Sequence, residues 1–199
     1  MIVAGDLTAT DKPIEYDRFN GWLKKQKYRK KIVVAGNHDK LLQSYPHRIK
    51  KEDDERFRLG RLCHCHNYLC DSGTEFEGLK IWGSPWSKTF EGMNPKCKAF
   101  TMETEEELAE KWALIPDDID ILITHSPPWG ILDKTDRNKF VGSCSLRERC
   151  LSEYRRLHVF GHIHEQGGKM IDTIGCIFVN ASHVNEHYQP VNKPIRIVL

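Results

Sequence analysis

Residues 32–39 read Ile-Val-Val-Ala-Gly-Asn-His-Asp. A β-branched run too short for a buried helix stops at Gly36, and side chains able to bind metal or phosphate follow. Such a run reads as a core strand ending in a polar loop. The same pattern recurs outward from it. Ile2-Val3-Ala4 meets Gly5-Asp6, and Ile81-Trp82 meets Gly83-Ser84-Pro85-Trp86. Ile119 to Ile123 precedes Thr124-His125-Ser126-Pro127-Pro128, and Leu157 to Phe160 precedes Gly161-His162-Ile163-His164. Ile174 to Asn180 and Pro194 to Val198 also carry strand patterns, with Gly175 read as a bulge inside the first.

Helical patterns lie between these runs. From Tyr16 to Lys27 an apolar stripe of Tyr16, Phe19, Trp22 and Leu23 recurs at helical spacing. Lys24, Lys25, Lys27, Arg29, Lys30 and Lys31 gather at its C-terminal end, a charge run read as a solvated helix end. Around Thr104 to Leu114, Thr104 with Glu107 fits a capping box, and Leu108 with Trp112 forms an i, i+4 pair. Strands alternating with helices predict an α/β layered fold. With no repeat and no Gly/Ser/Pro-rich linker, residues 1–199 are read as one domain.

Composition narrows the class. Thirty Lys+Arg against 28 Asp+Glu leave a formal charge of +2, which argues against stable nucleic-acid binding. No apolar run approaches the roughly 20 residues needed to span a bilayer, so no membrane partner is expected. The first residues lack the basic and apolar regions of a signal peptide. Seven cysteines, an odd number without a disulfide framework, suit a reducing compartment, and the cytoplasm is the expected location.

The strand ends carry the chemistry. Loops at the carboxyl ends of parallel strands are where α/β folds bind ligands, and parallel strands would bring Asp6, Asn37, His38, His125, His162 and His164 to one rim. A carboxylate, a carboxamide oxygen and imidazoles form a mixed N/O set suited to Mn, Fe or Zn in an open site. The two oxygens of Asp6 allow it to bridge two ions. Asn37 offers a metal-binding oxygen, while adjacent His38 is placed to contact phosphate or protonate a departing oxygen. His162 and His164, two residues apart in extended chain, would share one side of the backbone. For Asp39 two readings stand, orientation of a neighbouring imidazole from behind the site and capping of the following segment.

These blocks together resemble the calcineurin-like metallophosphoesterases, most closely their metallophosphoesterase-domain-containing branch. Supporting context comes from Phe19-Asn20-Gly21-Trp22-Leu23, Trp82 to Trp86, Lys111-Trp112, Leu114-Ile115-Pro116, Leu157 to Glu165, Asn180-Ala181-Ser182 and Gln189-Pro190. The resemblance implies a four-layer αββα sandwich with two divalent metal ions at its rim. It implies that Asp6 bridges the ions, that Asn37, His125 and His162 complete one site, and that His164 serves the other. Asn37 and His38 would contact substrate, with His38 as general acid and a metal-bridging hydroxide as nucleophile. The implied activity is a phosphodiesterase acting on a small phosphoester or nucleotide, cyclic nucleotides included. The family pattern opens with an Asp-x-His block upstream of Gly-Asp. Its absence before Met1 predicts a truncated start, a missing first strand and an incomplete second metal site. That prediction leaves an alternative, an impaired metallophosphoesterase-like module that binds nucleotide or protein through one intact metal site.

Other residues invite weaker readings. Cys63-His64-Cys65-His66 with Cys70 does not match the paired spacing of structural zinc modules, and is read as a loop or strand with incidental thiols. Cys144 and Cys150 lack a pattern that would activate a nucleophile. His183 and His187 are read as exposed loop histidines. Trp86 is open to two readings, stacking on a base or packing in the core.

Overall fold

The computed structural model describes residues 1–44, 62–153 and 155–199. A small parallel sheet contains β1 (Ile2–Ala4), β2 (Ile32–Val34) and β3 (Asn67–Leu69), in that spatial order. Val3 lies opposite Val33, and Val33 opposite Tyr68. A six-stranded sheet contains β4 (Ser72–Phe76), β5 (Leu79–Ser84), β8 (Ile121–Thr124), β9 (Leu157–Phe160), β10 (Lys169–Thr173) and β11 (Cys176–Asn180). Its order is β10-β11-β9-β8-β5-β4; the inner four strands are parallel and β4 and β10 are antiparallel edges. The short strands β6 (Ser87–Lys88) and β7 (Thr101–Met102) pair in parallel outside both sheets.

Every residue of β2, β8 and β9 is buried. Burial on both faces is why these strands are apolar throughout but for Thr124 and His158, rather than alternating. Ala4, Ile32, Val34 and Leu69 from the small sheet pack against Ile81, Ile121, Ile123, Leu157, Val159 and Val179 from the large one. The helices α1 (Pro13–Lys25) and α2 (Lys40–Ser44) place Tyr16 and Leu42 in a cluster with Ala35 and Phe100. The helices α3 (Glu105–Trp112) and α4 (Cys144–Ser152) cover the outer face of the large sheet, packing Leu108, Trp112 and Leu146 on Leu122, Phe160 and Phe178. The result is the layered α/β sandwich expected, with a sheet-to-sheet core in the middle.

Several boundaries differ from expectation. Helix α1 starts earlier than Tyr16, because Pro13 suits a first helical turn and the Glu15 carboxylate accepts the Lys12 and Thr10 N–H groups at 2.9 and 3.0 Å. Trp22 is 45% exposed and leaves the buried face, which carries Tyr16, Leu23 and the polar Asn20. Lys31 is not part of a solvated charge run. It is buried, and its ammonium donates to the Leu23 carbonyl at 2.6 Å, where the end of α1 offers negative potential. Gly175 is no bulge: with Ile174 it makes the turn between β10 and β11, both residues at positive φ (74° and 50°). Residues 194–198 form no strand; Ile195 and Ile197 alternate inward onto the sheet-to-sheet core without a ladder. The Thr104 capping box forms as expected, with Thr104 Oγ1 accepting the Glu107 N–H at 3.2 Å and the Glu107 carboxylate returning to the Thr104 N–H at 3.1 Å.

A buried polar chain crosses the large sheet. Thr124 Oγ1 donates to the Ser126 carbonyl at 2.6 Å and so accepts from His158 Nε2–H at 2.8 Å. That leaves His158 Nδ1 as an acceptor facing the Cys150 thiol at 3.5 Å. Burial first, then the Arg155 cation, hold the imidazole well below its ordinary value of 6.5, and burial pushes the Cys150 thiol up to about 12. A neutral histidine beside a protonated thiol is a packing unit, not an activated nucleophile.

The unfolded chain takes up a proton at His158 near pH 6.5 that the folded chain refuses. Stability is therefore full above that pH and falls as the pH drops below it. His158→Gln should make the decline shallower by up to one proton, about 1.4 kcal/mol per pH unit, in urea unfolding between pH 7 and 5. An unchanged slope would place the proton uptake elsewhere.

Candidate metal centre

Four strand ends converge. The chain leaves β1 through Gly5 (φ 99°) and turns Asp6 inward at φ 52°; His162 follows β9 at φ 66°. Such left-handed backbone is uncommon for residues with side chains and is held by surrounding contacts. His125 follows β8, its N–H continuing the ladder onto the Ser84 carbonyl at 3.2 Å. Asn37 and His38 follow β2. Ligand atoms of Asp6, His125 and His162 lie within 4.8 Å of one another.

Hydrogen bonds outside the cluster decide what each side chain presents within it. His125 Nδ1 lies 3.0 Å from the Ala4 carbonyl and must carry a hydrogen there, so Nε2 is the ring nitrogen turned inward. Asn37 Nδ2 donates to the Cys97 carbonyl at 2.9 Å, which turns Oδ1 inward. His125 Nε2 is then 2.8 Å from Asn37 Oδ1 and 3.3 Å from Asp6 Oδ1. His162 Nδ1 lies 2.9 Å from the same Asn37 oxygen and 3.2 Å from His125 Nε2. Burial, and then His125, push the His162 imidazole down to about 3, keeping it neutral as a ligand must be. Burial opposes ionisation of Asp6, but the adjacent His125 and His38 side chains and the His38 N–H outweigh it and hold its carboxyl below the ordinary range. One carboxylate, one amide oxygen and two imidazoles aimed at a common point fit a divalent cation of intermediate softness.

Two glycines make room for this set. A Cβ on Gly5 would lie 2.2 Å from His125 Nδ1, and one on Gly36 would lie 2.3 Å from Asp6 Oδ1. Asp39 corrects both expectations made for it. Among the described residues its carboxylate meets no imidazole and no N–H of α2; it accepts the Gly36 and Leu7 N–H groups at 2.8 and 3.1 Å, and the Thr8 N–H and hydroxyl at 3.1 Å each. It thus ties the loop after β1 to the loop after β2. Burial, then the adjacent Asp6 charge, push it up to about 8.

His38 sits at the edge of the cluster, its N–H donating to Asp6 Oδ1 at 3.1 Å and its Nδ1–H to the Ala9 carbonyl at 2.9 Å. Cys97 Sγ lies 3.6 Å from the same ring nitrogen. His164 stands outside the close group, because the chain enters a single 3-10 turn, His164–Gln166, instead of staying extended. Its ring meets Tyr188 edge-on, 5.1 Å between centroids. Sequence reasoning missed Cys97 and Tyr188; neither sits in a strand-end motif, and both reach the centre through loops.

The other candidates find ordinary partners. Residues 63–66 lie in a turn rather than a strand, and His66 Nδ1 accepts the Lys31 N–H at 3.1 Å. Trp86 is packed: its indole donates to Asp71 at 2.7 Å, Phe100 meets it edge-on, and the Lys111 ammonium lies 4.4 Å from its ring centre. Cys144 is exposed. His183 and His187 are exposed in the loop after β11, His183 donating to the Asn192 carbonyl at 2.8 Å.

The calcineurin-like phosphoesterase family profile matches residues 1–166, and the chain belongs to that family. Metallophosphoesterase domain-containing protein 1 of Homo sapiens is 40% identical over 216 aligned residues, covering 100% of this chain and 64% of the relative. UPF0046 protein T07D4.2 of Caenorhabditis elegans is 31% identical over 98% of this chain and 53% of its own length. The chain thus spans a little under two thirds of the first relative's length and about half of the second's. A solved crystal structure superposes with a TM-score of 0.60 over 85% of this chain and 63% of the other, at 16% identity, and shows the shared fold.

Gly36→Ala should weaken metal binding while leaving the fold in place. Its methyl group falls on the Asp6 carboxylate and backbone N and on the His125 ring. Manganese titration followed by metal analysis should read at least a tenfold weaker affinity with an unchanged circular-dichroism spectrum. Wild-type affinity would remove these side chains from the site.

Proposed function

We propose that this chain is a metal-dependent phosphoesterase domain, with residues 1–199 acting as one unit on a small-molecule phosphoester. The observation that carries this reading is the convergence of Asp6, Asn37, His125 and His162 from four strand ends onto one point. Those four residues would hold the ion, Mn, Fe or Zn by donor chemistry. His164, half-buried nearby, is the candidate ligand of a second ion. Bound divalent ions supply Lewis acidity that draws charge from the phosphoryl oxygens.

The chain's own groups do the rest. Asn37 is held rigid through the Cys97 carbonyl, so it places its oxygen without conformational search. His38 has Nδ1–H committed to the Ala9 carbonyl, so in its doubly protonated form Nε2–H is the group that gives a proton to the leaving oxygen and the ring returns to neutral. Family membership supports phosphoric esters as the substrate class, and phosphodiesters, cyclic nucleotides among them, are the finer proposal. The cytoplasm is the proposed location, supported by seven free thiols. No helix among the described residues is long and apolar enough to cross a membrane.

A second reading, a one-metal module that binds ligand without turnover, is favoured by the position of His164 outside the close group. Manganese-stimulated hydrolysis of bis-p-nitrophenyl phosphate and of cyclic nucleotides separates the two. The enzyme reading expects activity that EDTA removes and manganese restores. His38→Ala should lower kcat about 10²- to 10⁴-fold with metal content unchanged. Turnover undiminished in that variant would remove His38 from the acid role; no metal-dependent hydrolysis at all would leave the binding module.

A further inference from the structure

Tyr188 stands out as an exposed aromatic built into a rigid loop beside the metal centre. It is 65% exposed, yet its backbone is left-handed at φ 58°. A bulky residue rarely keeps that conformation without support. The support is visible on both sides. Tyr188 N–H donates to the Asn185 carbonyl at 2.9 Å, and the Asn185 side-chain oxygen accepts the His187 and Gln189 N–H groups at 3.0 and 2.9 Å. Val184 and Pro190 pair across the loop.

The root of the loop is tied to the site. Asn192 N–H donates to the His183 carbonyl at 3.0 Å, and Asn192 Nδ2 donates to the Ser182 carbonyl at 2.9 Å. A Cβ on Gly167 would lie 2.5 Å from the Asn192 amide nitrogen, so the loop root sits hard against the turn that carries His164. Tyr188 meets the His164 ring at 87°, 5.1 Å between centroids. What the ring offers is a flat, fixed π-surface at the edge of the centre.

We propose that Tyr188 is a specificity-determining residue that stacks on a planar aromatic group carried by the phosphoester at the metal centre. The proposal rests on the phosphoesterase reading and names a substrate feature for it. A nucleobase and a simple aryl ring share the required chemistry. At 65% exposed, the Tyr188 ring keeps surface open to a ligand beside its contact with His164.

Calorimetric titration of manganese-loaded wild type, Tyr188→Ala and Tyr188→Phe with AMP, phenyl phosphate and ribose 5-phosphate tests it. Wild type should bind AMP about tenfold more tightly than ribose 5-phosphate. Tyr188→Ala should lose that margin and Tyr188→Phe should keep it, with ribose 5-phosphate affinity equal in all three. A margin shared by phenyl phosphate supports stacking on any planar ring; a margin confined to AMP supports stacking on a nucleobase. Equal binding of AMP and ribose 5-phosphate by wild type overturns the proposal, as does an unchanged margin in Tyr188→Ala. Parallel weakening of all three compounds in Tyr188→Ala also overturns it, because Tyr188 would then act by positioning His164. Wild type that takes up manganese yet binds none of the phosphates would defeat the phosphoesterase reading itself, a result distinct from the others.

Discussion

The hydrogen bond from His125 Nδ1–H to the Ala4 carbonyl, 3.0 Å long, joins the large sheet to the small one at the rim of the molecule. Three properties of the site depend on it. It sets the ring orientation in which Nε2 faces Asp6 and Asn37. It fixes the distance between the ends of β1 and β8, residues 121 positions apart in the chain. It also leaves no space for a side chain at position 5, so glycine there is required by contact as well as by φ. The sheet-to-sheet core beneath supplies the rigidity. Ala4 packs among Ile123, Val159 and Val179, and a sheet contact of that density resists the small shifts that would open the rim.

Asp39 performs the corresponding task one layer back. Four hydrogen bonds converge on its buried carboxylate from residues on two different loops, which would otherwise leave backbone N–H groups unpaired. The proximity of Asp6 makes charge on both carboxylates expensive, and the shift falls on Asp39, the more enclosed of the two. A cation among the neighbouring donors would relieve that repulsion. Loop geometry and cation affinity are therefore coupled through one pair of acids.

Much of this was legible in the chain itself, because strand-end motifs combine a strong local signal with a topological rule. Apolar runs such as Ile32–Val34 and Leu157–Phe160 end where the polar residues begin, and parallel strands bring those ends together. Thr104 with Glu107 was readable since both partners lie within one turn. What escaped depends on distant partners. Lys31 looked like one cation in a row, and only the folded end of α1 shows why it is buried. The Ile174-Gly175 pair sits in an apolar run, and pairing of Thr173 with Cys176 makes it a turn. Ile195 and Ile197 have the alternation of a strand but supply only packing, since alternation reports burial and not a ladder. His164 was expected beside His162 on the premise of extended chain, and the 3-10 turn at that point breaks the premise.

That turn also explains why the wall of the site is built from the loop after β11 rather than from another strand end. Asn180 ends β11 and donates from its side chain to the Ile163 carbonyl at 2.8 Å, holding the residue between His162 and His164. Its side-chain oxygen accepts the Ser182 N–H at 3.1 Å, which directs the chain back over the same turn. One buried amide thus sets both the backbone that carries the histidines and the departure of the loop that carries Tyr188. The centre and its wall are for that reason one mechanical unit. A change in the geometry of either is transmitted through Asn180, while the large sheet, anchored by Phe160 and Phe178 in its outer core, stays in place.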